Sequence, residues 1–333
     1  MLHTYVPHDF SVNKKIFVNR NIPSSAIELL TKSGFNLLVW DGDISLSNTK
    51  VKELLLDCDA FLSTGEIVIE EELLEGNSRL KIVSQASSGY NNIAIDAATK
   101  LNILVANAPN TMNKATADIA FALMLAASRK MFYMYELIKK GAWDSFKFTD
   151  FLGQELHNKT LGVFGLGSIG FEMAKLCKQA YNMEVIYHNR KPNEKANDEL
   201  NAKYVSFDKL LIESDVLSVH CNLTSDTQGI FDKNTFSKMK STSIFVNVAR
   251  GGVHVEEDLI EALKTGEIWG AGLDVTNPEP MAKANPLLKM ENVAVTPHIG
   301  SATVTARMAM AEAAAINIIQ FFKGEKVTNS INL

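Results

Sequence analysis

The sequence is poor in cysteine, with only Cys58, Cys177 and Cys221 in 333 residues, scattered and odd in number. That spacing excludes a disulfide framework and a cysteine-based metal site, so free thiols in a reducing cytoplasm, and no metal, are expected. It has no apolar run long enough to span a bilayer. The longest, IAFALMLAA at 119–127, falls far short of the roughly 18–20 residues required. The opening MLHTYVPHDF lacks a basic stretch followed by an apolar one, which argues against a secretory leader. An excess of positive charge is also missing. With 33 Lys+Arg against 38 Asp+Glu the net charge is −5, leaving no electrostatic footprint for nucleic acid or an anionic membrane.

What is present reads as a globular α/β chain. The apolar fraction is 46% and the charged fraction 21%, and the length favours two packed domains, because single cores rarely grow past roughly 250–300 residues. Strand-length apolar runs (KIFVNR, FNLLVW, AFLST, KIVSQAS, NILVANA) alternate with polar-started helical stretches such as SSAIELLTKSG, NTKVKELLLDC and IEEELLEGN. That alternation predicts βαβ units and a parallel sheet covered on both faces. A long helical block over about 112–140 follows. Its apolar residues go nearly all round, so domain or partner should cover most of its faces. The alternation then resumes with LGVFGL, EVIYHN, DVLSVH, SIFVNVA, WGAGLDV and NVAVTPH, and a last helix is expected over 302–323.

TLGVFGLGSIGFEMAKLCKQA places Gly165, Gly167 and Gly170 between a strand and a helix. The first glycine permits the tight turn, the second lets backbone approach a pyrophosphate, and the third lets helix and strand pack. The helix N-terminus then holds the phosphates. About 20 residues on, an acid normally binds the ribose 2′-hydroxyl. Here the strand MEVIYH runs instead into Asn189, Arg190 and Lys191. A carboxylate would repel a 2′-phosphate whereas a guanidinium can hold it, so NADP(H) is the preferred cofactor, with NAD(H) possible. A solvated basic turn would read the same way.

Three polar residues stand just beyond strands: Arg250 in FVNVARGG, Glu279 in DVTNPEP and His298 in VAVTPHIGSAT. Ligands of open α/β sheets lie outside the carboxyl ends of strands, so all three can converge on the cofactor. Reduction of a 2-oxo acid needs an acid for the carbonyl oxygen and a cation for the carboxylate. Imidazole, with an unperturbed pKa of about 6.5, suits the first role and makes His298 the proton donor. Arg250 suits the second through a bidentate contact. Glu279 beside the imidazole would orient it and favour its charged form.

With these residues in place, the chain resembles the D-2-hydroxyacid dehydrogenase family, most closely its glyoxylate/hydroxypyruvate reductase branch. The motifs ASSGYNNI, NAPNTMNKATADIAFALMLAASR, LGQELHNKTLGVFGLGSIG, VNVARGG, GLDVTNPEP and TPHIGSAT carry the likeness in order. The resemblance implies two doubly wound parallel-sheet domains with a cleft between them. Residues 1–108 and 302–333 would form a flavodoxin-like substrate domain, and 109–301 a Rossmann dinucleotide-binding domain. Arg250, Glu279 and His298 match the family's catalytic residues, and Ser88 and Gly89 the loop that receives the substrate carboxylate. Gly167, Ser168 and Ile169 match the pyrophosphate turn, and Asn189 to Pro192 the adenosine-ribose pocket. Asn222, Val248, Asp274 and Gly300 match the nicotinamide half, with Asp274 near the carboxamide. A homodimer through the dinucleotide-binding domain is implied as well.

The sequence departs from the family in two places: Asn91 stands where an Asp is common, and Phe146, three residues after Trp143, falls where the branch often has Trp. The expected activity is NADPH-dependent reduction of glyoxylate or hydroxypyruvate, with a 2-ketogluconate-type or other D-2-hydroxy acid as the alternative. Formate oxidation, which needs no proton relay to a carbonyl, is disfavoured by the acid at Glu279. A nucleotide-sensing co-repressor scaffold is disfavoured by the complete trio.

Overall fold

The computed structural model describes residues 1–6 and 13–333. The chain divides into two compact units, Met1–Met112 together with Ala302–Leu333, and Asn113–Ser301.

In the first unit the strands are β1 (Leu2–Tyr5), β2 (Lys14–Val18), β3 (Phe35–Trp40), β4 (Ala60–Ser63), β5 (Ile82–Gln85) and β6 (Leu104–Ala106). They form one sheet in the order β1-β3-β2-β4-β5-β6. Counted from β2, this is the flavodoxin-like order 2-1-3-4-5. Every residue of β4 and β5 is buried, as expected of parallel strands with helices on both faces. The sheet is not wholly parallel, however. β1 runs antiparallel to β3 at the edge, and its largely exposed LHTY gave no apolar pattern to read. The C-terminal helix, Val304–Phe322, is capped by Thr303 and packs on helix Ser24–Lys32 and on β5.

The second unit holds β7 (Thr160–Phe164), β8 (Glu184–His188), β9 (Lys203–Tyr204), β10 (Val216–Val219), β11 (Ile244–Asn247), β12 (Gly270–Leu273) and β13 (Val293–Val295). All pairings are parallel, in the order β13-β12-β11-β10-β7-β8-β9. Numbered from β7 this is the Rossmann order 3-2-1-4-5-6 with a seventh strand added, and the order reverses between β7 and β10. The switch point is therefore where a dinucleotide belongs.

The helical block expected over about 112–140 is two helices, Asn113–Ser128 and Met131–Lys139. The break falls at Lys130, whose backbone is left-handed (φ 55°) and whose ammonium pairs with Glu291 at 3.0 Å over the Trp269 ring. No Gly or Pro marks it. The first helix buries its small residues against β11, β12, β13 and the helix Ser168–Tyr181, so its own unit accounts for the wide apolar face. The second helix buries none of its residues. Among the described residues no helix is long and apolar enough to cross a membrane.

Candidate active site

Strand β7 runs straight into the glycine turn. Gly165 has φ +87°, and a Cβ there would lie 2.7 Å from the Cys221 backbone nitrogen, so only glycine closes this turn. Gly170 packs against Val163, bringing the helix Ser168–Tyr181 onto the sheet. Gly167, by contrast, faces open space: a Cβ there would meet nothing within 4 Å. Ser168 and Ile169 open the helix, and their N–H groups have no partner within it. An open backbone edge with free donors at a helix N-terminus fits a pyrophosphate.

The residues after β8 divide into two roles. Asn189 Oδ1 accepts from the Leu166 N–H at 2.6 Å, and its Nδ2 donates to the Leu166 carbonyl at 3.1 Å. Asn193 Nδ2 donates to the same carbonyl at 3.0 Å. Asn189 thus holds the glycine turn in shape, a task not legible from its position alone. Arg190 and Lys191 are exposed, and neither has a carboxylate partner among the described residues. They are the pair suited to an additional phosphate.

The loops after the adjacent strands β11, β12 and β13 carry the catalytic candidates. His298 Nδ1 donates to Glu279 Oε1 at 2.5 Å. Burial alone would raise the pKa of Glu279. The hydrogen bond and charge of His298, the Thr276 N–H and the charge of Arg250 outweigh it and hold this carboxyl below its ordinary value. An ionised Glu279 accepts, so Nδ1 carries the hydrogen and Nε2 of His298 is the nitrogen left for chemistry. His298 itself sits in left-handed backbone, φ 53°, a conformation that persists only when its surroundings impose it.

The buried Asp274 imposes it. Its Oδ1 accepts from Thr296 Oγ1 at 2.6 Å and from the Ile299 N–H at 2.8 Å, and its Oδ2 accepts from the Gly300 N–H at 2.7 Å. Its carbonyl accepts from the His298 N–H at 2.9 Å. Asp274 therefore fastens the whole His298 loop, and Gly300 lets it come close: a Cβ there would lie 3.0 Å from Oδ2. Arg250 is largely buried and its Nη1 donates to the Ala249 carbonyl at 2.7 Å. Burial lowers its pKa and the charge of Glu279 raises it, but a guanidinium stays cationic throughout the physiological range. Val248 is buried beside it, while Asn222 is exposed with its carbonyl accepting from Thr227 Oγ1 at 2.7 Å.

Ser88 and Gly89 lie in the first unit. The Ser88 carbonyl accepts from Asn107 Nδ2 at 2.7 Å, and the Gly89 carbonyl from Gln85 Nε2 at 2.6 Å and Ser87 Oγ at 2.7 Å. With both carbonyls engaged, the two N–H groups keep no partner among the described residues, which is what a carboxylate receptor requires. Sequence reading passed over Asn247, Asn193, His254 and Thr296, which shape these loops. The one signal was a polar residue ending an otherwise apolar run, as Asn247 does in SIFVNVA.

Known proteins resemble this chain in sequence and fold. The family model for the NAD binding domain of D-isomer specific 2-hydroxyacid dehydrogenases matches residues 121–300. The glyoxylate reductase of Thermococcus litoralis is 39% identical over 322 residues, covering 96% of each chain. A D-3-phosphoglycerate dehydrogenase of Archaeoglobus fulgidus is 39% identical over 319 residues, 96% of this chain but 59% of that one. Among solved structures, the NADPH-dependent glyoxylate/hydroxypyruvate reductase of Sinorhizobium meliloti in complex with NADP and malonate superposes with a TM-score of 0.82, at 26% identity and 96% coverage of both chains. A seven-stranded Rossmann sheet, a glycine turn at its switch point, an imidazole–carboxylate pair on adjacent loops and a family match over most of the second unit lead to one conclusion: the chain belongs to the D-isomer specific 2-hydroxyacid dehydrogenase family.

Proposed function

We propose that the chain reduces a small 2-oxo acid, glyoxylate to glycolate or hydroxypyruvate to D-glycerate, using NADPH. The observation that carries this reading is the 2.5 Å hydrogen bond from His298 Nδ1 to Glu279, which leaves Nε2 as a proton donor. Gly167, Ser168 and Ile169 would hold the pyrophosphate, and Arg190 and Lys191 the 2′-phosphate. When bound, the dinucleotide supplies hydride to the carbonyl carbon. Nε2 of His298 gives its proton to the carbonyl oxygen, and Glu279 holds the ring at Nδ1 in the orientation for that transfer. Arg250 grips the carboxylate and, as a fixed cation, favours the negative charge that builds on the carbonyl oxygen. The N–H groups of Ser88 and Gly89 are suited to a carboxylate. Asn222, Val248 and Gly300 would border the nicotinamide. Asp274, with both oxygens engaged by the His298 loop, would act on it chiefly through position.

The choice of NADPH rests on the two cations after Asn189, which have no carboxylate partner among the described residues, and on the NADP carried by the Sinorhizobium relative. Initial rates on glyoxylate, hydroxypyruvate, pyruvate and 2-ketogluconate, each with NADPH and NADH, test the reading, with oxidation of 3-phospho-D-glycerate as a further arm. Fastest turnover is expected on glyoxylate or hydroxypyruvate with NADPH. Absence of turnover on every oxo acid overturns it, and preference for 3-phospho-D-glycerate moves the chain to the other activity named among its relatives.

A homodimer through the second unit belongs to the same reading. The helix Met131–Lys139 buries nothing of its own, and Trp143, Phe146 and Phe148 are 69%, 85% and 87% exposed, a run of apolar surface that a second copy would cover. Sedimentation at micromolar concentration is expected to give a dimer, and a monomer would refute it.

A further inference from the structure

Behind Arg250 lies a buried polar unit, Asn247 and His254, that has no role in the chemistry described so far. Asn247, the last residue of β11, is fully buried. Its Oδ1 accepts from the Ala249 N–H at 2.9 Å, and its Nδ2 donates to the Arg250 carbonyl at 3.0 Å. Its own carbonyl accepts from the Asp274 N–H at 3.0 Å. One amide thus closes the turn that presents Arg250, while its main chain is bonded to the residue that fastens the His298 loop. The turn has little freedom elsewhere: a Cβ on Gly251 would lie 1.9 Å from the Thr276 carbonyl oxygen.

Those two bonds determine which end of the amide is which, because the Ala249 N–H can only donate and the Arg250 carbonyl can only accept. The remaining Nδ2 hydrogen points at Nδ1 of His254, 3.1 Å away. That nitrogen must therefore accept, and the proton of the neutral ring must sit on Nε2, which is buried without a partner among the described residues. The ring also lies edge-on to Phe245 at 5.8 Å between centroids. Burial pushes His254 down to about 4, in keeping with a ring that stays neutral. An Nδ1–H tautomer would set donor against donor and release the amide from the Arg250 carbonyl.

We infer that Asn247 and His254 form a positioning pair for Arg250, in which the Nε2–H tautomer of His254 locks the Asn247 amide and thereby fixes the guanidinium that binds the substrate carboxylate. The inference rests on the reading of Arg250 as the carboxylate-binding residue. Its test has two arms so that the two can fail separately. In the full-length protein, long-range ¹H–¹⁵N correlation spectra at neutral pH report the tautomer of His254 without any turnover. The Nε2–H form is expected, and an Nδ1–H form or an imidazolium overturns the pair whatever the activity.

The second arm compares His254→Leu with His254→Asn by steady-state kinetics. Leucine removes the acceptor, whereas an asparagine Oδ1 can stand where Nδ1 stood. His254→Leu should raise KM for the oxo acid and lower kcat/KM by on the order of tenfold to a hundredfold, the scale of a small misplacement of a catalytic group. Affinity for NADPH, measured by fluorescence titration, should stay as it was, and His254→Asn should recover most of the loss. Equal kinetics in all three proteins, or equal losses in both variants, would refute the pair. Were the Nε2–H tautomer found in a protein that turns over no oxo acid, the pairing would stand and the functional reading of Arg250 would fall.

Discussion

His298 combines a task and a constraint at one residue. Its ring is hydrogen-bonded to Glu279, and its backbone holds φ 53°. Most residues pay for that conformation, but Asn adopts it readily. His298→Asn therefore removes the titratable proton while sparing the backbone, which separates catalysis from folding. We expect kcat to fall by ~10²–10⁴, the usual contribution of a general acid, with NADPH affinity unchanged. Turnover within a few-fold of the parent would remove His298 from the mechanism. The residue was legible in the sequence because a histidine after VAVTP and before IGSAT ends a buried strand, where ligands of such sheets lie. His254 was not. A lone histidine in GGVHVEED has no local mark of burial, and only the fold brings it against Asn247.

At the scale of elements, Asp274 fastens the loop from Thr296 to Gly300 through three donors to its carboxylate. Asp274→Asn would turn an amide N–H₂ toward N–H groups that have nothing else to bond. A buried donor left unsatisfied costs ~1–3 kcal/mol, so the denaturation midpoint and kcat should drop together. Retention of both would show that the loop is held otherwise.

The turn after β8 separates in the same way. Arg190→Ser with Lys191→Ser should raise KM for NADPH by about tenfold or more, since hydrogen bonds to charged groups contribute ~1.5–3 kcal/mol each. KM for NADH should stay put, and an unchanged NADPH/NADH ratio would make the two cations surface decoration. Asn189→Asp, by contrast, sets a carboxylate oxygen against the Leu166 carbonyl and should weaken both nucleotides.

The elements themselves were readable to differing depth. Buried parallel strands such as AFLS and IFVN announce themselves as unbroken apolar runs. The edge strands β1 and β9 are too exposed to leave such a run, and the break at Lys130 is set by Glu291 and Trp269, far away in sequence.

For the molecule as a whole, His220 and His254, whose pKa values desolvation holds down, give folding a pH dependence. His220 is bonded at Nε2 to Ser218, leaves Nδ1 without a partner among the described residues, and is pushed by burial down to about 3. His254 is pushed down to about 4. Released on unfolding, each ring returns to about 6.5. The folded pKa is the depressed one, so the unfolded state binds the extra protons below 6.5. Stability is then fully present above that pH and is lost as pH falls.

Each histidine contributes a slope of ~1.4 kcal/mol per pH unit. For His254 the loss runs from about 6.5 down to about 4, and for His220 it continues to about 3. Carboxylates held low in the folded state, Asp59 and Glu279 among them, add their own losses only below the ordinary carboxylate range. The window between pH 6.5 and 4.5 therefore isolates histidine contributions. Urea unfolding across that window, followed by near-ultraviolet signals, should show His254→Asn with a slope shallower than the parent by about one proton. That variant keeps the acceptor facing Asn247, so any difference belongs to the lost titration rather than to a broken turn. Parallel slopes in the two proteins would mean that His254 does not stay neutral in the folded chain.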